Sequence, residues 1–478
     1  MAALRQRWRV MAAAAATALS ACSSMAPSYE RPAAPVAPQF PNAVATGASG
    51  ATTADALDWQ AFFADARLKR LIALALQNNR DLRIAALNIE QVRAAAAARD
   101  ADRWPTVNAG LAVSRQPTGR GSINSLYTAG VLVTAYEADL FGRLRSLSDA
   151  AAAQVLASVE ARNAVQIGLV GALASAHLAL VADDEFLRVT RESLATREDS
   201  LKLIRLRFDN GASSAIDLRQ AESLLEAARV AHVQATRQRA LDENALVLLV
   251  GQALPADLPA GLPLEQSAGM PELPVGLPSE VLVRRPDVRQ AEQQLIAANA
   301  NIGAARAAFF PRITLTGSVG SASSELAGLF KAGSFAWSFA PQLLQPIFDA
   351  GRNQANLRGA EVGRDIAVAQ YERAIQSAFR EVADALAGRA TLGEQLQAQQ
   401  RLADAEAARA SLADLRYRNG AASFLEVLDA QRSLLAAQQA LVQARAQAAQ
   451  NLAALYRTLG GGWQPPGGEA RVIASPQR

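Results

Sequence analysis

Arg207-Phe208-Asp209-Asn210-Gly211-Ala212-Ser213-Ser214-Ala215-Ile216-Asp217 is answered later in the chain by Tyr417-Arg418-Asn419-Gly420-Ala421-Ala422-Ser423-Phe424-Leu425-Glu426. Gly211 and Gly420 stand 209 positions apart. In both copies Asn-Gly interrupts a long run rich in Ala, Leu, Gln and Arg, and a second such run follows. Asn-Gly readily supplies the left-handed backbone that reverses direction between two helices. The spacing therefore predicts a helix–turn–helix that occurs twice.

Working outward, the helical pattern runs from about 141 to 208 and again from about 214 to 249, with no proline between Pro117 and Pro255. Roughly 65 residues at 1.5 Å each make a helix of about 100 Å, more than a globular domain needs. The second copy lies in another proline-free stretch, between Pro346 and Pro465. Gly142 pairs with Gly351, and Gly251 with Gly460, at the same offset of 209. So constant an offset over more than a hundred residues marks an internal tandem repeat.

Before each long helix the period changes from helical to alternating. After Trp104-Pro105, Val107, Ala109, Leu111 and Val113 lie on one face, with Asn108, Gly110, Ala112 and Ser114 on the other. A loop over about 115–125 and a return strand over about 127–136 complete a hairpin. Phe310-Pro311 opens the counterpart, with Ile313, Leu315 and Val319 alternating with Thr314, Thr316 and Ser318. Its return strand carries Phe335, Trp337 and Phe339 on one face. The organisation expected is a signal peptide over 1–21, a lipidated N-terminal segment over 22–60, and a first repeat over 61–250 with its hairpin near 104–137. A linker over 251–278, a second repeat over 279–460 with its hairpin near 311–347, and a tail over 461–478 follow.

Arg5, Arg7 and Arg9 precede the apolar run Val10 to Ala18, which ends in Leu19-Ser20-Ala21-Cys22, the pattern of a secretory signal. Cys22 is the only cysteine of the 478 residues, and Leu-Ser-Ala-Cys resembles a bacterial lipobox. Cys22 is thus the expected lipidation site, carrying diacylglycerol and an N-acyl chain, typically palmitoyl; no other cofactor is expected. Removing the signal takes three arginines from a formal charge of +4, so the basic balance gives no argument for nucleic acid. No other segment approaches 18 unbroken apolar residues, and passage through a membrane falls to the strands.

Four strands per chain cannot close a barrel, and unpaired edges in hydrocarbon are costly. Oligomerisation is implied; two copies give eight strands, a filled or narrow barrel, while three give twelve and room for a lumen, the favoured count. The fold expected is a mixed one, an all-α tunnel of coiled long helices plus a transmembrane β-barrel. The Phe335, Trp337 and Phe339 face is expected to meet lipid or sit in an interfacial belt, and the Ala, Ser and Thr faces to line the interior.

Four runs carry a resemblance: Tyr136 to Arg143; Arg284-Arg285-Pro286-Asp287-Val288-Arg289 continuing to Phe309-Phe310-Pro311; Pro346 to Arg352; and Tyr417 to Gly420 with Leu425 to Ser433. Together they resemble the outer membrane efflux protein family, of the TolC-like NodT/OprM lipoprotein type. The resemblance implies a homotrimer with one shared twelve-stranded outer-membrane barrel, a periplasmic α-barrel, and a mixed belt around its middle. It further implies a periplasmic adaptor protein and an inner-membrane RND transporter as partners, with no catalysis.

On this reading Asn210, Gly211, Asn419 and Gly420 form periplasmic tips that meet the adaptor. Asp217 and Glu426, just beyond each tip, and Asp429 are candidate gate acids, since any inward acid of a threefold assembly repeats as a ring. Asp429 best matches the acidic gate position of the family, and Arg207 and Arg416 are candidate counter-charges. Pro105 and Pro311 mark the switch from helix to strand, and Gly142 and Gly351 the bend from strand into helix. Asp139 and Asp349 suit helix starts, and Pro286 a first helical turn. His177 and His232 are read as helix-face residues, and Gly460-Gly461-Gly462 as a cap and flexible exit. No metal-spaced cluster, phosphate loop or nucleophile elbow supports an enzyme. Two other readings share these features: a duct for type I protein secretion, and a lipid-anchored coiled-coil scaffold without a pore.

Overall fold

A computed structural model describes residues 25–41, 57–118, 121–267, 270 and 279–463. The signal peptide, Cys22, most of the linker after Ser267 and the tail beyond Trp463 lie outside the described residues. In chain order the elements are α1 (Trp59–Phe62), α2 (Ala66–Asn78), α3 (Arg80–Ala101), β1 (Val107–Thr118), β2 (Ser122–Ala138), α4 (Arg143–Asp209) and α5 (Ala215–Val250). There follow α6 (Leu264–Ser267), a 3-10 turn at Ser279–Arg284, α7 (Pro286–Ala307), β3 (Arg312–Ser323), β4 (Phe335–Leu344), α8 (Arg352–Arg418) and α9 (Phe424–Thr458). α4 and α8 are each 67 residues long and begin 209 positions apart, so the repeat of the sequence is a repeat of structure. α4 contains a window apolar enough by composition to cross a membrane, but 56% of that window is buried inside the protein.

The chain divides into two compact units. The first, residues 1–34, 87–160 and 289–373, holds the sheet. All four strands are antiparallel, in the order β1-β2-β3-β4. Cross-strand partners share a face, and the register sorts most residues by polarity, with Leu126, Leu132 and Leu344 the exceptions on the polar side. One face carries Val107, Val131, Val133, Val319, Phe335, Trp337 and Phe339; the other carries Asn108, Thr128, Thr314, Ser318, Ser338 and Gln342. Gly110, Gly130, Gly320 and Ala336 pair in one row across the sheet on the polar face. A bulge between Val133 and Tyr136, with Ala135 at φ +53°, shifts the alternation by one residue. Tyr136 therefore joins the apolar face beside Leu315, and Glu137 the polar one beside Thr314.

The strands of the first hairpin are longer than the sequence suggests. The loop expected over 115–125 shrinks to the interval between Thr118 and Ser122. Pro117 pairs within β1 because β1 is the sheet's edge, where a missing N–H is tolerated. In the same unit the described part of the N-terminal segment is a strap packed along α7. Arg31 binds Glu292 through two bonds of 2.7 and 3.0 Å, Tyr29 Oη donates to it at 3.0 Å, and Asn299 Nδ2 donates to the Pro27 carbonyl at 2.7 Å.

The second unit, residues 35–86, 161–288 and 374–478, is helical. Phe62 stacks on Tyr456 at 4.1 Å, with Phe63 edge-on, and Tyr456 Oη donates to the Leu57 carbonyl at 2.6 Å. Asn79 breaks α2 from α3: its Oδ1 accepts from Leu82 N as a cap, and its Nδ2 donates to the Leu249 carbonyl, both at 2.9 Å. Pro286 opens α7 as expected, and Arg285 before it is buried. That guanidinium binds Asp287, Glu381 and the Thr458 carbonyl, closing the C-terminus of α9.

One expectation needs correction here. Gly460 to Gly462 are buried and not a flexible exit; a Cβ on Gly461 would lie 2.2 Å from the Tyr456 ring. His177 lies on the inner face of α4, 1% exposed, where Nε2 meets Asp65 Oδ2 at 2.8 Å.

Candidate functional site

The two tips have the same hydrogen bonds. Gly211 and Gly420 adopt φ +71° and +72°. Ala212 N donates to the Arg207 carbonyl at 2.7 Å, and Ala421 N to the Arg416 carbonyl at 2.8 Å. Asn210 and Asn419 turn their side-chain amides back onto Leu206 and Leu415. These are Schellman-type endings, with Gly in the left-handed position that a Cβ would disfavour. Ile204, Leu224, Phe424, Val427 and Leu428 pack in one buried cluster, with Tyr417 against it, so the two turns form a single structure.

Beyond the turns the copies diverge, and the candidate acids separate. Asp217 belongs to a capping box: its carboxylate accepts from Ser214 N at 3.1 Å and Ser214 Oγ at 2.8 Å, while Ser214 Oγ accepts from Asp217 N. Partial burial pushes its pKa up, but these bonds outweigh it and hold the carboxyl below its ordinary value. Ser423 makes no such cap, and Glu426 turns instead to Arg416 at 3.4 Å. Asp429 is paired with Arg409, which also reaches Glu406 at 3.2 Å. Of the expected counter-charges, Arg416 thus meets Glu426, whereas Arg207 lies 4.7 Å over the Tyr417 ring. Arg409 carries no sequence signal: it lies outside both repeated stretches, twenty positions before its partner.

Buried charge elsewhere in the helical unit was equally silent. Asp65 accepts from Arg67 N at 2.7 Å, Leu262 N at 3.3 Å and His177. Burial raises this carboxyl and the hydrogen bond from His177 leads the effects that bring it below its usual range. Asp183, 8% exposed, goes the other way, to about 7: burial and the facing carboxyl of Asp242 both favour its protonated form. Residues 112 positions apart, such as Asp65 and His177, meet only through packing.

At the ends of the strands, Pro105 and Pro311 lie between helix and strand, and Gly142 and Gly351, at φ +72° and +83°, precede the two long helices. Asp139 Oδ2 accepts from Arg145 N at 2.7 Å, and Asp349 from Gly351 N and Asn353 N at 3.0 and 2.9 Å. The sheet itself is uncovered. Phe335 and Trp337 are each 71% exposed and Phe339 is 63% exposed, and neither edge strand has an outer partner among the described residues. An aromatic face, an opposite polar face and two open edges form a surface that water does not favour and that further strands and lipid would satisfy. No group of three His, Cys, Asp or Glu is placed to hold a metal among the described residues.

Comparison with known proteins matches the family model described as outer membrane efflux protein over residues 71–252 and 277–461, one match for each repeat. The chain is 50% identical over 409 residues to the solvent efflux pump outer membrane protein SrpC of Pseudomonas putida, covering 84% of this chain and 87% of that one. It is 46% identical over 455 residues to outer membrane protein OprJ of Pseudomonas aeruginosa, covering 94% of each. Among solved structures it is similar to the open state of the MtrE outer membrane channel of Neisseria gonorrhoeae. There the TM-score is 0.85 at 40% identity, over 92% of this chain and 99% of that one.

Proposed function

The chain belongs to the outer membrane efflux protein family, and from that premise we propose that it is the outer-membrane exit duct of a tripartite efflux pump. Three copies join their four-stranded sheets into a twelve-stranded barrel, because only closure satisfies the free edges of β1 and β4. The aromatic face turns to lipid and the polar face to the lumen. The long helices continue the passage into the periplasm, and Cys22 carries the lipid that tethers each chain. A periplasmic adaptor docks on the tips at Asn210-Gly211 and Asn419-Gly420, and an inner-membrane RND transporter supplies the driving force. The duct conducts passively, and Asp429 with Arg409 takes part in holding the tip end closed.

The carrying observation is the exposed sheet with one aromatic and one polar face. Relatives whose names specify solvent, toluene and antibiotic efflux support small organic compounds as cargo. The test is a deletion strain scored against solvents, dyes and antibiotics with and without the cognate transporter. The expected result is sensitisation that disappears when the transporter is already absent. Purified protein that assembles but never conducts in planar bilayers would overturn the duct, and loss of a secreted protein without sensitisation would move the reading to protein secretion.

A further inference from the structure

Where the sheet meets the long helices, one carboxylate serves two guanidinium groups. Arg143 donates to both oxygens of Glu137, Nε and Nη2 each at 2.8 Å, and Arg312 Nε reaches Glu137 Oε2 at 2.6 Å. Glu137 is 9% exposed, whereas the Arg312 side chain is 57% exposed. These residues line a cavity of about 530 Å³ together with Asp139 and Arg352. Three guanidinium groups and two carboxylates line it, and a third carboxylate, Asp349, stands by Arg352. Asp139 is engaged by the amide of Arg145, and Asp349, whose charge Arg352 feels, by amides of its own turn. Arg143 and Arg352 are also the first residues of the two 67-residue helices, so two positive dipole ends begin at this cavity.

The face is decisive for the ligand. Arg312 pairs with Leu344 and shares the side of Thr314, Thr316 and Ser318, opposite Phe335, Trp337 and Phe339. The bulge at Ala135 brings Glu137 to that same side. We propose that this cavity is an anion site on the polar face, taking carboxylate, phosphate or sulfate groups of solutes rather than lipid phosphates. The inference rests on the trimeric-duct reading for its consequence: three copies repeat these guanidinium groups around the lumen, where an anion can meet them.

Planar-bilayer recordings of the purified full-length protein in a KCl gradient test this. Relative to wild type, Arg312→Gln is expected to lower the chloride-to-potassium permeability ratio by at least about twofold, with Arg312→Lys close to wild type. Added inorganic phosphate is expected to reduce wild-type conductance and to act less on Arg312→Gln. A conducting wild type whose selectivity and phosphate response both ignore Arg312 would overturn the site. Replacing a neutral bilayer with phosphatidylglycerol is expected to leave these differences intact; abolition of them would assign the cavity to lipid phosphate and overturn the lumenal proposal. A wild type that never conducts would instead sink the duct reading itself.

Discussion

Gly130 on β2 and Gly320 on β3 face each other so closely that neither position has room for a methyl group. A Cβ on Gly130 would lie 2.4 Å from the Val319 carbonyl oxygen, and one on Gly320 would lie 2.1 Å from that of Ala129. They sit in the row that runs from Gly110 to Ala336 across the polar face. Glycine here is required by close approach of two backbones, and such a row is a means of bending a sheet sharply enough to close.

Alanine at Gly130 or Gly320 is accordingly expected to cost about 2–3 kcal/mol, because backbone and not a flexible side chain must move. Gly359→Ala is the control: its Cβ would meet nothing within 4 Å inside α8. That change is expected to stabilise by about 0.5–1 kcal/mol. Thermal melts in detergent, followed by the β-sheet circular dichroism signal for the first pair, check both signs. Equal and small effects at all three positions would remove the close-approach argument.

Asp217 and Glu426 occupy equivalent positions but are expected to respond differently. Asp217→Ala removes a capping box and should cost about 1 kcal/mol, with faster amide exchange through the first turn of α5. Glu426→Ala removes only an exposed ion pair and should change stability by less than about 0.5 kcal/mol. Exchange rates that fall equally protected in both variants would contradict the capping role.

Asp429 and Arg409 act as one pair if they hold the tip end closed. Asp429→Ala and Arg409→Ala are each expected to raise uptake of a small hydrophilic probe severalfold, and the double variant no further than either single one. Uptake at the wild-type level in an assembled Asp429→Ala protein would remove the pair from the gate.

Asp183 gives a pH dependence of definite sign. The folded chain holds its proton up to about pH 7, against 3.8 for the ordinary group, so folded protein binds more protons across that interval. Its contribution is therefore complete below the lower value and is lost as pH rises through the upper one. Asp183→Asn, which keeps a neutral group facing Asp242, Asp184 and Arg239, is expected to be more stable than wild type by about 1–2 kcal/mol at pH 8. Near pH 4 the two should melt together. Parallel melting curves at both pH values would show that burial does not shift this carboxyl.

Much of this fold was legible because it rests on local, repeated signals. Alternation names Val107 to Val113 as strand whatever lies around it, and Asn-Gly names a reversal because few residues accept positive φ. The hairpin ends were less legible: Pro117 argues against a strand until the sheet order makes β1 an edge. The same limit hid Arg409, Asp183 and the Asp65–His177 contact, since a charge's partner depends on which helices lie together and not on its neighbours in the chain.

The sequence by itself determined the repeat, the two hairpins, the long helices and their turns, since period, proline exclusion and glycine placement act over a few residues at a time. Only the tertiary structure decided which acids are engaged and how. Asp217 and Glu426 read alike at an offset of 209, yet one caps its own helix and the other meets Arg416. Whether Glu137 belongs to the polar or the apolar face was likewise settled by a single-residue bulge. Strand period is two, so one inserted residue exchanges the faces of everything beyond it.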